Sequence, residues 1–115
     1  MSVGTLAAPG LAKTSAFPKA AIEACLRVEL IEAVKAEAGV KGITLPGALA
    51  DIIKTPFQVD SLVVVSILCA VEPIIGFELP DSVVRTGGYA SIEIALAHLL
   101  PRIESLWIKK KGDNS

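Results

Sequence analysis

Apolar residues recur every three or four positions along three long segments of the chain, and this spacing predicts helices. The apolar positions of the first segment are Ile22, Leu26, Leu30 and Val34. Charged residues occupy the other side of this segment, as expected for an amphipathic helix. Pro18 is suited to the first turn and Gly39 to the end. We therefore predict a first helix from Pro18 to Ala38.

The second segment begins at Ser61 and carries apolar residues on every side as far as Ile75. A helix of this kind is either fully buried or presents an apolar surface to a partner. Pro73 removes one backbone donor, so it is expected to kink or end the helix near residues 69–72. Gly76 then ends it.

The connection between these helices, residues 40–59, contains two glycines and two prolines. A structureless loop of that length is unusual in a compact domain. We therefore predict a short helical turn from Ala48 to Ile53 that covers the core.

The pattern after Gly76 predicts a short helix from Asp81 to about Arg85 and a last helix capped by Ser91. Pro101 should bend or restart the chain, and residues 102–111 add a further helical piece. The whole pattern predicts an all-α fold. It is a four-helix bundle with a long loop between helices I and II, a short helix III and a C-terminal helical extension. The predicted division is a mobile tail over 1–16, a helical domain over 17–108 and a basic tail over 109–115.

Composition narrows the class of protein. The chain has 115 residues, 52% of them hydrophobic and 20% charged, which argues for one folded domain and against disorder. The formal net charge of −1 gives no sign of a nucleic-acid partner. The apolar run from Leu62 to Val71 is too short to span a bilayer, so no stable membrane insertion is expected. No secretory signal is visible, and we expect a cytoplasmic monomer.

Few residues offer chemistry of their own. Cys25 and Cys69 lie in apolar helical patterns, so they are expected to be buried thiols rather than a disulfide, and their spacing does not suggest a metal site. His98 is the only histidine and has no nucleophile near it in sequence, so a structural role is expected. We predict no catalytic residue, no metal site and no enzymatic activity.

Asp60 and Ser61 are the strongest functional candidates. Both residue types favour helix starts, so the simpler interpretation is that they only cap the second helix. A serine in a first turn is also exposed beside unpaired backbone N–H groups. Those groups and the helix dipole favour a phosphate on its oxygen. Between Lys54 and Arg85 the sequence has four acids and no basic residue, which would steer a basic partner towards this region.

Asp60-Ser61-Leu62, followed by an apolar helix, resembles the 4′-phosphopantetheine attachment site of acyl carrier proteins. Gly76-Phe77-Glu78-Leu79-Pro80-Asp81 is similar to that family's link after helix II. Tyr89-Ala90-Ser91-Ile92 is similar to the start of its helix IV. The resemblance covers about Phe17 to Leu100 and is most specific between Asp60 and Ile92. A long loop between helices I and II is also part of what it implies.

The resemblance implies that a phosphopantetheinyl transferase joins Ser61 Oγ to 4′-phosphopantetheine from coenzyme A. Asp60 and Leu62 complete the attachment motif. The arm would carry acyl groups as thioesters between acyl-loading and acyl-transfer enzymes, in fatty-acid, lipid or secondary-metabolite biosynthesis. Such a carrier acts by tethering, which raises effective concentration. Six apolar residues are expected to line an acyl pocket, to form a partner surface or simply to belong to the core. They are Val63, Val64, Val65, Leu68, Ile92 and Leu96.

The sequence departs from this family at Gln58, where a glycine is usual, and at Val63, Val64 and Ser66, where acids are usual. These departures predict a specialised carrier whose partner binds an apolar surface of the second helix that includes Val64. Two alternatives remain open. One is an interaction module that keeps the carrier fold without the arm, and the other is an apolar domain that binds lipid or dimerises through the second helix.

Overall fold

The computed structural model describes residues 16–114, with side chains for 16–110. Within this range lie four α-helices: α1 (Lys19–Lys41), α2 (Leu49–Lys54), α3 (Ser61–Ile75) and α4 (Ile92–Asn114). A 3-10 turn, Asp81–Val83, separates α3 from α4. The predicted all-α class is confirmed for this part of the chain. The predicted N-terminal tail lies outside the described residues except for Ala16.

Helix α1 is the centre of the fold because it packs against both α3 and α4. Its buried side chains follow the predicted stripe and are Ile22, Leu26, Leu30, Ile31, Val34 and Ala38. Cys25 near the start of α1 lies 3.6 Å (Sγ to O) from the carbonyl of Ala70, near the end of α3. Val34, late in α1, shares a cleft with Ser61 at the start of α3. The two helices are therefore antiparallel.

Helix α3 has the predicted bounds, but only one side of it is buried. The residues on that side are Val64, Ile67, Leu68, Val71 and Ile75. Val64 is completely buried, so it belongs to the core, and the expectation that it forms a docking surface is wrong. Cys69 is exposed, contrary to the expected buried thiol, because it lies outside this i, i+3, i+4 stripe.

Prolines and a glycine inside the helices do not end them. Helix α3 continues through Pro73, and α4 continues through Pro101. Pro101, expected to bend or restart the chain, does not interrupt α4, and residues 109–114, assigned to a basic tail, belong to the same helix. Helix α1 also passes Gly39 and ends at Lys41. A glycine within a helix costs only about 1 kcal/mol, which packing on either side can offset.

Tertiary packing explains why α4 persists beyond Pro101. Ile103 is fully buried and Trp107 nearly so. The Trp107 ring packs against Phe17, with 5.7 Å between the ring centroids. The Arg102 guanidinium donates to the carbonyls of Val83 and Ser82 at 3.0 and 2.8 Å. These contacts offset the one backbone hydrogen bond that a proline removes. No helix within residues 16–114 has both the length and the apolar character needed to cross a bilayer.

The burial of α3 generates a matched pair of substitutions. Leu68 is 1% exposed and Leu62 is 76% exposed on the same helix. Leu68→Ala should lower the free energy of unfolding by about 2–5 kcal/mol because it leaves a cavity in the core. Leu62→Ala should change it by no more than about 0.5 kcal/mol. Urea denaturation followed by circular dichroism measures both, and equal effects would contradict the observed orientation of α3.

Candidate functional site

Asp60 caps α3 with its side chain, so the helix does not need the hydroxyl of Ser61 as a cap. The Asp60 carboxylate accepts a hydrogen bond from the N–H of Leu62 at 2.7 Å, and its carbonyl accepts from the N–H of Val64 at 3.2 Å. Ser61 is the first residue of the helix and is half-buried. Within the described part of the chain its Oγ makes no hydrogen bond. The side chain of Asp60 does the capping, and the Ser61 oxygen is available for other chemistry.

The start of α3 also presents backbone donors. The N–H groups of the first helical turn have no acceptor inside the helix, and among the described residues the Asp60 side chain binds that of Leu62. These donors and the positive end of the helix dipole favour an anion attached to Ser61 Oγ.

The loop that leads into Ser61 is fixed to the segment before α4. Val59 and Tyr89 form an isolated β-bridge, with N–H···O distances of 2.7 and 2.9 Å in the two directions. Phe57 N–H donates to the carbonyl of Ala90 at 2.9 Å. The side-chain amide of Gln58 donates to the carbonyl of Gly87 at 2.8 Å. Gln58 therefore restrains this loop.

Gly88 permits this close approach. Its φ of +83° is a conformation that side chains rarely adopt, and an added Cβ would overlap the carbonyl oxygen of Val59. The same Cβ would lie 3.1 Å from the backbone nitrogen of Ser61. The position of Ser61 therefore depends on the absence of a side chain at residue 88.

Tyr89 connects this loop to α4 through a buried hydrogen-bond chain. It is 1% exposed, and its phenol oxygen accepts from the N–H of Arg85 at 2.9 Å. The same oxygen lies 2.7 Å from Nδ1 of His98. The phenol can donate to Nδ1 or accept a proton carried by Nδ1, so either tautomer of His98 allows this hydrogen bond. His98 has the structural role that the sequence predicted.

The environment of His98 favours its neutral form. Partial burial lowers the pKa of His98 below its ordinary value, and the positive charges of Arg102 and Arg85 lower it further. Neutral His98 can accept the Tyr89 proton, whereas the protonated ring cannot. The hydrogen bond between Tyr89 and His98 links α4 to the segment that holds the Ser61 loop.

A cleft of about 360 Å³ opens beside Ser61. Its walls are the last turns of α1, the loop 57–60, the first turn of α3 and Gly87. Lys41 lies at this cleft, with Nζ 3.3 Å from Glu37 Oε2 and 5.8 Å from the centroid of the Phe57 ring. Sequence reasoning missed the cleft and Lys41, because no local pattern indicates that the end of α1 meets the start of α3.

The other residues predicted for the site differ in how far they are exposed to solvent. Val63 is 38% exposed and lines the cleft, and Leu62 is exposed beside it. Val65 is half-buried and packs against the core. The remaining candidates lie in the core and do not line the cleft: Val64, Leu68, Ile92 and Leu96. The structure therefore brings together Asp60, Ser61 and Val63.

Of the acidic residues between Lys54 and Arg85, Asp60 lies next to Ser61, whereas Glu72 lies near the other end of α3. The Glu72 carboxylate accepts from the N–H of Leu79 at 2.9 Å and so anchors the link after α3. It lies eleven residues along α3 from Ser61, roughly 16 Å at the helical rise. Within α3 itself, the acidic residue of this zone therefore lies at the far end from Ser61.

No group of three or more His, Cys, Asp or Glu side chains suited to a metal ion occurs among the described residues. No protein-family model matches the chain, and no curated protein or solved structure is significantly similar to it. The interpretation of the site therefore depends on its own geometry and on the sequence motifs.

Substitution of Gly88 tests the close approach next to Ser61. Gly88→Ala should be clearly destabilising because it combines an unfavourable φ with an overlap against Val59. Gly87→Ala is the matched control: Gly87 has a φ of +91° and open space around its Cβ position. The control should cost only the conformational strain, about 1–2 kcal/mol. Thermal denaturation compares them, and a smaller loss for Gly88→Ala would contradict the packing described.

The lowered pKa of His98 predicts a pH dependence. A histidine whose pKa is lower in the folded state contributes stability above its ordinary pKa of 6.5, and that stability is lost as the pH falls below 6.5. His98→Gln should remove this part of the pH dependence and keep an acceptor for Tyr89. Urea denaturation between pH 5 and 8 measures it, and identical pH profiles for the two proteins would show that His98 is not responsible.

Proposed function

We propose that this protein is a specialised acyl carrier protein that bears 4′-phosphopantetheine on Ser61. The observation that carries the proposal is the free hydroxyl of Ser61 on the first turn of α3, next to an aspartate that already caps the helix. The order of elements gives further support. The elements follow the order expected for an acyl-carrier bundle. A long first helix and a long connection come before the helix that begins at the serine, and a short turn and a last helix come after it.

In the proposed modification, Ser61 Oγ attacks the phosphorus atom of coenzyme A that bears pantetheine. A new P–O bond forms to the serine, the bond to 3′,5′-adenosine bisphosphate breaks, and the serine proton passes to a base of the transferase. The free amides at the start of α3 favour the negative charge of the product. The bridge between Val59 and Tyr89 keeps the serine in a fixed position for the transferase.

Once attached, the group supplies a terminal thiol that holds acyl groups as thioesters. The chain supplies the point of attachment and a surface for partner enzymes, and no catalytic residue of its own. Leu62 and Val63, exposed next to Ser61, support an apolar surface for a dedicated partner, in the role that buried Val64 does not fill. The partners of this proposal are a phosphopantetheinyl transferase and acyl-loading and acyl-transfer enzymes.

A second candidate is a carrier-fold interaction module that lacks the arm. It is favoured by the hydrogen bond between Gln58 and Gly87, which restrains a loop that a transferase would have to approach. In this alternative Ser61 stays unmodified, and the exposed Leu62 surface is the functional part.

Intact-mass spectrometry distinguishes the two candidates. The purified protein is incubated with coenzyme A and several broad-specificity phosphopantetheinyl transferases. We expect a gain of one phosphopantetheine on the wild type and no gain on Ser61→Ala. Ser66→Ala is the matched control, because Ser66 lies on the same helix and its hydroxyl is already bound to the Val63 carbonyl at 2.7 Å. It should gain the group normally. No gain on the folded wild type would contradict the carrier and support the module.

A further inference from the structure

We infer that the cleft between the end of α1 and the start of α3 binds the phosphodiester end of the arm on Ser61, with Lys41 as the counter-ion. This inference rests on the proposed function. It assigns to this chain's own Lys41, Phe57 and Val63 the role of positioning residues, which no sequence motif gives them.

The arm is placed in this cleft because the cleft offers space next to Ser61. Leu68 and Ile92, which the sequence offered as walls of an acyl pocket, are each 1% exposed and packed in the core. The cleft of about 360 Å³ lies beside Ser61, which is one of the residues that line it. That volume falls at the lower end of the range for small-molecule sites. A group attached to Ser61 therefore has this cleft next to it.

Lys41 is the counter-ion in this inference because it is the cationic side chain among the residues that line the cleft. The anions that face the cleft are Glu37 and Asp60, and the carboxylate of Asp60 is engaged by the amide of Leu62. Lys41 is paired with Glu37 at 3.3 Å, and both side chains are about half exposed, at 53% and 51%. An ion pair this exposed is weak, so a phosphodiester can attract Lys41 away from it. Without Lys41 the charged side chains that line the cleft would all be negative and would repel the phosphate.

The remaining surface of the cleft suits the part of the arm that follows the phosphate. That part of pantetheine carries two methyl groups on one carbon. Phe57 is half-buried in the cleft wall and Val63 lies on the first turn of α3. Their apolar side chains offer contacts to those methyl groups at the point where Lys41 Nζ lies over the Phe57 ring.

The test uses the loaded protein and NMR spectroscopy. The wild type, Lys41→Gln, Lys41→Arg, Glu37→Gln and Lys35→Gln are each converted with coenzyme A and a transferase, and loading is verified by intact mass. The readouts are the nuclear Overhauser effects from the arm's methyl groups to the Phe57 ring and the phosphorus-31 chemical shift. Lys35 is the matched control, since it is exposed on the same helix and lies outside the cleft.

We expect the Overhauser effects in the wild type and Lys35→Gln, a several-fold loss in Lys41→Gln, retention in Lys41→Arg and an increase in Glu37→Gln. The opposite effects of Lys41→Gln and Glu37→Gln separate charge pairing from a general disturbance of α1. Loaded wild type without contacts to Phe57, or equal contacts in Lys41→Gln, would overturn this inference and leave the carrier function intact. A folded wild type that does not load at all would instead contradict the proposed function, and this inference with it.

Discussion

The paired backbone hydrogen bonds between Val59 and Tyr89 are the constraint on which the geometry of the site depends. They lie two residues before Ser61 and hold its loop against the segment that leads into α4. Gly88 allows the two backbones to approach, and the buried hydroxyl of Tyr89 connects them to His98 on α4. The first turn of α3 is therefore positioned by the opposite half of the chain as well as by its own cap.

Helix α1 serves both the core and the site. Its buried stripe packs against α3 and α4, and Val34 belongs at once to that stripe and to the wall of the cleft. The antiparallel arrangement of α1 and α3 brings the end of one helix to the start of the other. For this reason Lys41, which the sequence pattern placed in the connection after the first helix, comes to lie at the same cleft as Ser61.

Asp60 and Ser61 have separate roles at the start of α3: Asp60 caps the helix, and Ser61 is the proposed site of modification. Asp60 accepts from the amide of Leu62 and so meets the need of the helix for a cap. Within the described part of the chain, Ser61 Oγ makes no hydrogen bond that a modification would break. The proposed phosphodiester would place its negative charge at the end of the helix where the dipole favours it.

The sequence alone determined the all-α class, the bounds of α3, the short helix α2 and the cap at Asp60. These features depend on residues within about four positions of each other, where periodicity and capping act. Only the tertiary structure decided that Val64 is buried while Leu62 is exposed, because an all-apolar helix does not reveal which side meets α1. It also decided that α4 continues through Pro101 and that Lys41 reaches the cleft beside Ser61. Both outcomes come from contacts between residues far apart in the chain, which local patterns do not encode.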